Sequence, residues 1–342
     1  MNSRLTRAAL TGFIVSAFSI NAKAQGLDLT INHVGLAIGD VPEVTGLRLN
    51  YRDRNLRRVD GVNVTIWDPY RDARSSVVRG VALGLPLTGA GRIDGLALGL
   101  LGAGATERMR GVGIGGIGIG SGGNMTGLFV GGIGVGTGGN FEGIAVGGIG
   151  AGAGGNVRGL TISLIGAGAG GNVRGITLAG IGAGAGGNVT GITVAGIAAG
   201  AGGNSTGINI AGIASGAGGD VTGLTIAGIA TGAGRTLTGL AVAGIAAGAP
   251  RIRGVTLAGV ASGGEDIRGV VIAGAWMRVE RGEIRGVSVS SFNQVKGVQR
   301  GLAIGIVNFA EELHGAQIGL INIARNNPSG RRVLPVINWH RD

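Results

Sequence analysis

The chain has 342 residues, 78 of them glycine, with six prolines, no cysteine and a net charge of +11. Glycine at this level without a Gly-X-Y period or abundant proline excludes collagen, and regularly recurring Ile, Leu and Val exclude simple disorder. The lack of cysteine excludes a disulfide framework and a lipid-modified cysteine.

Residues 1–24 read as a secretory signal peptide. Arg4 and Arg7 supply a basic start, Ala8 to Ile20 an apolar stretch, and Ala22-Lys23-Ala24 a small-residue cleavage site before Gln25. Residues 25–60 read as an N-terminal cap and first irregular coils, and include a basic run from Arg48 to Arg58. Residues 61–110 read as further irregular coils interrupted by a loop insertion, Trp67-Asp68-Pro69-Tyr70-Arg71. Functional residues gather on such loops, but packing of its aromatics against the coils is the simpler role.

Residues 111–253 form the regular part. Asn124, Asn140, Asn156, Asn172, Asn188 and Asn204 fall sixteen apart, and Asp220 continues the series. One unit reads NVTGITVAGIAAGAGG, residues 188–203. A fixed period of this kind marks a stacked repeat architecture. Residues 254–342 read as looser repeats and a C-terminal cap. An anchoring glycine recurs at eighteen positions from Gly46 to Gly315, with strict sixteen-residue spacing from Gly111 to Gly239, and Gly35 extends the series. The repetition runs through every midpoint, which predicts one elongated domain.

Relative to the anchor, large apolar residues sit at +1, +3 and +6, as in Ile192, Val194 and Ile197. Positions +1 and +3 share strand parity. Position +6 has the opposite parity, so the reading places all three inward and predicts a bend at the +5 glycine, Gly196. The Asn column is expected at a turn, in left-handed geometry, with amides stacked as a ladder. The fold expected is all-β: an elongated parallel β-solenoid of about eighteen coils with a 16-residue glycine-rich repeat. Ala and Gly elsewhere in the unit predict a narrow core. The alternative is an outer-membrane β-barrel, against which stand the broken alternation after +3 and the scarcity of Tyr and Trp in the repeats.

Few residues suggest chemistry. The GAGGN turns resemble calcium-binding β-rolls, but Asp220 is the single acidic residue in that column. The GxGxxG-like string Gly113 to Gly118 precedes no helix pattern and carries no nucleotide signal. His33, His314 and His340 stand in different contexts without metal-ligand spacing. The sequence therefore yields no catalytic, cofactor-binding or metal residue, and no cofactor. Aromatics amount to 3% and do not interleave with the arginines, which argues against nucleic acid. Position +2 holds Thr161, Thr177, Thr193, Thr225 and Thr256, interrupted by Asn209 and Ala241. Read as outward, this column resembles the threonine arrays of ice-binding solenoids, although Thr is also simply a good strand residue.

Residues Gly301 to Asn327, GLAIGIVNFAEELHGAQIGLINIARNN, and Val333 to Asn338, VLPVIN, resemble an uncharacterised bacterial surface-repeat family built on GLQIGLxN-type units. The resemblance implies an exported, cell-surface, outer-membrane or extracellular location and carries no catalytic residues. The expected function is a non-enzymatic surface scaffold or adhesion-type interaction protein with a surface or extracellular partner, compatible with outer-membrane association.

Overall fold

The repeat glycines explain the architecture. In the computed structural model, which describes residues 21–23, 26–67 and 75–340, Gly35 and all eighteen anchors take positive φ, between 111° and 148°. L-residues with a side chain avoid this region. The column also stacks tightly. A Cβ built on Gly191 would run into the carbonyl oxygen of Gly175, and the same holds at each successive anchor. Glycine is required twice over, by conformation and by the coil next to it.

The result is a nearly all-β chain, a β-solenoid of about 17 turns at sixteen-residue spacing. The expectation was about eighteen. The difference is one of counting, because eighteen anchors from Gly46 to Gly315 delimit seventeen turns. The coil-to-coil pairings are parallel, so the antiparallel membrane barrel is ruled out as the fold. Contacts cluster into two compact units, residues 1–154 and 155–342, where the sequence suggests one domain. In a stack each coil touches only its neighbours, so contacts group locally.

The first unit opens with an antiparallel hairpin, Gly26–Ile31 against Val34–Gly39. Its two-residue turn, Asn32 and His33, has φ of 49° and 66°, as a primed hairpin turn requires. Parallel strands follow in register from Glu43–Asn50 and Arg58–Thr65 onward. The backbone strand Asn21–Lys23 pairs with Gly26–Ile31, while the expected cleavage bond after Ala24 and the loop residues Asp68 to Arg71 lie outside the described residues.

In the second unit each regular coil has a seven-residue strand and a four-residue strand, such as Val189–Ala195 and Ala198–Ala201. Long strands pair with long strands and short with short, with Ile192 beside Ile176 and Ile208. The chain turns at Gly196 and Ile197, as the +5 glycine predicts. It turns again at Gly202 and Gly203, ahead of the Asn column. That column forms a ladder: Asn172 Oδ1 accepts the backbone N–H of Asn188 at 2.8 Å, and Asn188 Oδ1 that of Asn204 at 2.7 Å. The asparagines are not left-handed, however. Glycines carry the unusual backbone angles, which leaves the amides free to bond the next coil.

The core lies between long and short strands and is built from small residues. Ala179, Ala183, Ala195 and Ala199 pack together, and Val173, Val189 and Val221 line the other end of the bore. Toward the C-terminus the bore holds larger residues, including Ile252, Ile267, Met277 and Leu313.

The Gly191→Ala variant is expected to lose about 1–3 kcal/mol from backbone conformation alone, with the carbonyl clash adding to it. Gly182→Ala, where an added Cβ meets nothing within 4 Å, should melt like the wild type. Calorimetric melting of both variants checks the stacked-glycine account, and equal midpoints would contradict it.

Candidate functional site

Strand parity decides which side chains are available to a partner. In the unit Val189–Ala195 the buried residues are Val189, Thr193 and Ala195, two before, two after and four after the anchor. Ile192 and Ile197 are exposed, at 37% and 42%, and Val194 is half-buried. The large aliphatic residues expected inside thus project outward. The cause is the width of the bore. Short strands built of Gly and Ala bring the walls together, so the +2 and +4 positions facing them are filled mostly by Ala, Ser and Thr, with a column of mostly valine at −2.

The threonine column is the mirror of this correction. Thr161, Thr177, Thr193, Thr225 and Thr256 are at most 2% exposed, and Asn209 and Ala241 are buried in the same column. A hydroxyl array that faces the bore cannot meet ice, so the basis of the ice-binding alternative is gone. The Oγ1 atoms of Thr161, Thr177, Thr193 and Thr256 are buried without a hydrogen-bond partner. Thr225 Oγ1 is satisfied by Ser215 and Thr231 across the bore, each at 3.1 Å.

Outside, the second unit carries a continuous aliphatic face. Position +6 runs Ile165, Ile181, Ile197, Ile213, Ile229, Ile245 and Val260, each 42–47% exposed. Beside it run the +3 column and the +1 column, which includes Ile176, Ile192, Ile208, Leu240 and Val255 at 36–40%. Seven coils at about 4.8 Å by a width of about 16 Å give a face on the order of 500 Å². That equals the largest apolar patch of a typical monomer, and such patches mark interaction sites. Position −1 borders the face with Arg158, Arg174 and Arg253, all exposed, and with threonines at the four coils between them. The first unit repeats the pattern, with Ile117, Ile133 and Ile149 exposed at 48–50%.

The remaining polar clusters are structural. Arg48 is fully buried in the +2 column of the first unit. It ion-pairs with Asp53 and Asp40, donates to Asn63 Oδ1 at 2.9 Å and from Nε to the Val41 carbonyl at 2.8 Å. Asp53 in turn accepts from Thr65 at 2.7 Å. Arg48 and Asp53 are engaged with each other and with these neighbours. Asp220 pairs with Arg235 at 2.9 Å. Burial pushes its carboxyl up, but hydrogen bonds from Thr236 and Arg235 and the guanidinium charge outweigh that and hold it below the usual carboxylate range. His314 and His340, well separated in sequence, come together edge to face at 5.9 Å between ring centroids, because the last strand folds back antiparallel. His340 Nδ1 contacts Asn327 Oδ1 at 2.5 Å, and no cluster of three potential metal ligands occurs among the described residues. His33 sits apart in the hairpin turn. Gly113 to Gly118 span two parallel strands, and an added Cβ at Gly113 would meet the ring of Phe129 in the bore. Trp67 is 51% exposed.

The chain has no match among family models, curated proteins or solved structures.

Two substitutions separate this geometry from the inverse one. Ile197→Asp should cost about 1 kcal/mol or less, the worth of a cross-strand pair, whereas Ala195→Asp buries an unpaired charge and should prevent folding. Circular dichroism and thermal melting read both, and tolerance of Asp at 195 with collapse at 197 would reverse the assignment. Thr193→Val keeps shape and removes an unpartnered buried hydroxyl. It should raise stability by about 1 kcal/mol in denaturant titration.

Proposed function

We propose that the protein is an exported, non-enzymatic repeat protein of a bacterial cell surface, a scaffold that works through its outward aliphatic face. The observation that carries this reading is the inversion of the repeat. Isoleucines at +6 are 42–47% exposed over seven consecutive coils, the last of them a valine, while Ala and Thr fill the bore. Aliphatic residues spaced so regularly in water cost solubility and supply nothing to catalysis. Their use is to meet another apolar surface. Export rests on the basic start, apolar stretch and Ala22-Lys23-Ala24 pattern. The surface location rests also on the GLQIGLxN-like units between Gly301 and Asn338. The side-chain inventory supports a non-enzymatic role, since the buried Asp53 and the half-buried Asp40 are both paired with Arg48.

N-terminal sequencing of protein from the producing cell should find Gln25 first, and a membrane-impermeant label should reach it on intact cells. An intact Met1 on protein confined to the cytosol would overturn the surface reading.

A further inference from the structure

The aliphatic face has a particular border, and the border selects a partner. On each long strand of the second unit, positions −1, +1 and +3 point to the same side. The last two are aliphatic. Position −1 is Arg158, Arg174, then four threonines, then Arg253, Arg268, Arg285 and Arg300. None of these three outward positions holds a carboxylate between residues 157 and 304. Arg158, Arg174 and Arg253 take part in no ion pair among the described residues. Arg268, Arg285 and Arg300 all converge on one carboxylate, Glu283, at 3.8, 2.7 and 3.6 Å. The face therefore combines an apolar stripe with a border that carries guanidinium groups at both ends and threonines at the four coils between, in a chain of net charge +11.

We infer that this face lies on the surface of an anionic phospholipid bilayer, with the isoleucines of the +6 and +1 columns among the acyl-chain ends of the headgroup layer and the −1 arginines on lipid phosphates. This rests on the reading of the aliphatic face as the working surface. Amphipathic surfaces bind membranes through buried apolar area together with attraction of cations to anionic lipid. Arginine at the border suits phosphate, because its planar fork bonds two oxygens at once and its stem covers apolar surface on the way. A second copy of the chain is the competing occupant. It would match the coil spacing, but its −1, +1 and +3 columns bring no carboxylate to Arg158, Arg174 and Arg253. Of the acids just beyond the border at −3, Asp220 is held by Arg235 and Glu283 by Arg268, Arg285 and Arg300, which leaves Asp266. A bilayer supplies both halves of what the face presents. No described helix is long and apolar enough to cross a membrane, and in-plane binding needs none.

The test is flotation of the protein as purified from the producing cell, with vesicles of phosphatidylcholine alone and with vesicles containing 30% phosphatidylglycerol (roughly the anionic share at which polybasic attraction is strong). The expected result is flotation with the anionic vesicles, at least tenfold weaker with phosphatidylcholine and weakened by salt. The triple variant Ile197→Thr, Ile213→Thr, Ile229→Thr should lose binding at least tenfold to both. The triple variant Arg158→Gln, Arg174→Gln, Arg253→Gln should lose only the anionic preference. Circular dichroism and melting establish that both variants fold. Should the isoleucine variant unfold, Ala198→Ser on the opposite sheet together with single Ile213→Thr supplies the comparison. Equal flotation with both lipids, or none, overturns the inference. So does a stable dimer in light scattering that the isoleucine variant dissociates, since the face is then covered by a second copy. In that case the surface-scaffold reading stands, whereas a cytosolic Met1 form that still floats would sink that reading and leave the lipid face intact.

Discussion

Everything in this molecule depends on one column of glycines. Parallel in-register stacking puts each coil directly beside the last, and at the anchor the backbone turns its carbonyl toward the next coil's α-carbon. Any side chain there meets that carbonyl, as the blocked positions from Gly46 to Gly315 show. The same residues hold φ between 111° and 148°, open only to glycine. Because every coil needs the same solution, the sequence repeats. Where spacing slips, as between Gly61 and Gly80, the two anchors still pair with each other.

The width of the bore follows from the short strands. Segments such as Gly182–Ala185 and Ala198–Ala201 have no side chain beyond a methyl. They bring the two walls close enough for Ala179, Ala183, Ala195 and Ala199 to fill the gap. Facing such short strands, the buried +2 and +4 positions hold small residues or Asn209, and the larger buried side chains take the −2 column, from Val189 to Leu237 and Ile252. The aliphatic residues sit on the outer parity, where they still touch their equivalents in neighbouring coils and stabilise the ladder. Stability and the proposed function draw on one row of side chains: cross-coil contacts cover part of each isoleucine, and the rest stays exposed. Phe129 shows the exception that the rule allows. It enters the bore of the first unit where Gly113 leaves space in the preceding coil, and it meets Phe141 edge on at 6.1 Å.

The period, the all-β class, the parallel stacking, the anchor and the bend at +5 were legible because each is a spacing. Which parity faces inward was not legible from size. Both parities of the long strand are apolar, and the usual rule assigns the larger residues to the core. The telling residues were Arg158 and Arg174. They share parity with the +1 residues Leu160 and Ile176, so a charge on that side places the whole row outward. The apolar residue two before the anchor, Val157 or Leu237, pointed the same way. The pairing of His314 with His340 was out of reach, since it depends on the last strand reversing to run antiparallel. The Asn column is a ladder as its spacing suggested, but the unusual backbone angles belong to glycines and not to the asparagines.

A stack of parallel strands ends in unpaired edges and an open bore, and described segments at the start of the first unit and the end of the second cover them. At the start of the first unit an antiparallel hairpin covers the edge strand, and Arg48 occupies the +2 column with Asp53 and Asn63 around it. At the end of the second unit the strand Val333–His340 folds back antiparallel over the last long strand. There the bore is filled by amides: Asn293 donates to Asn308 and Asn308 to Asn322, each at 2.7 Å, while Gln317 donates to Gln299 at 3.0 Å. Asn308 and Asn322 are the asparagines of the GLQIGLxN-like units, and both are fully buried. In this chain that motif is therefore a device for closing a bore with mutually bonded amides. The same buried positions thus hold small residues in the regular coils of the second unit and mutually bonded amides in its last coils, so the polar side chains that close the bore satisfy one another rather than water.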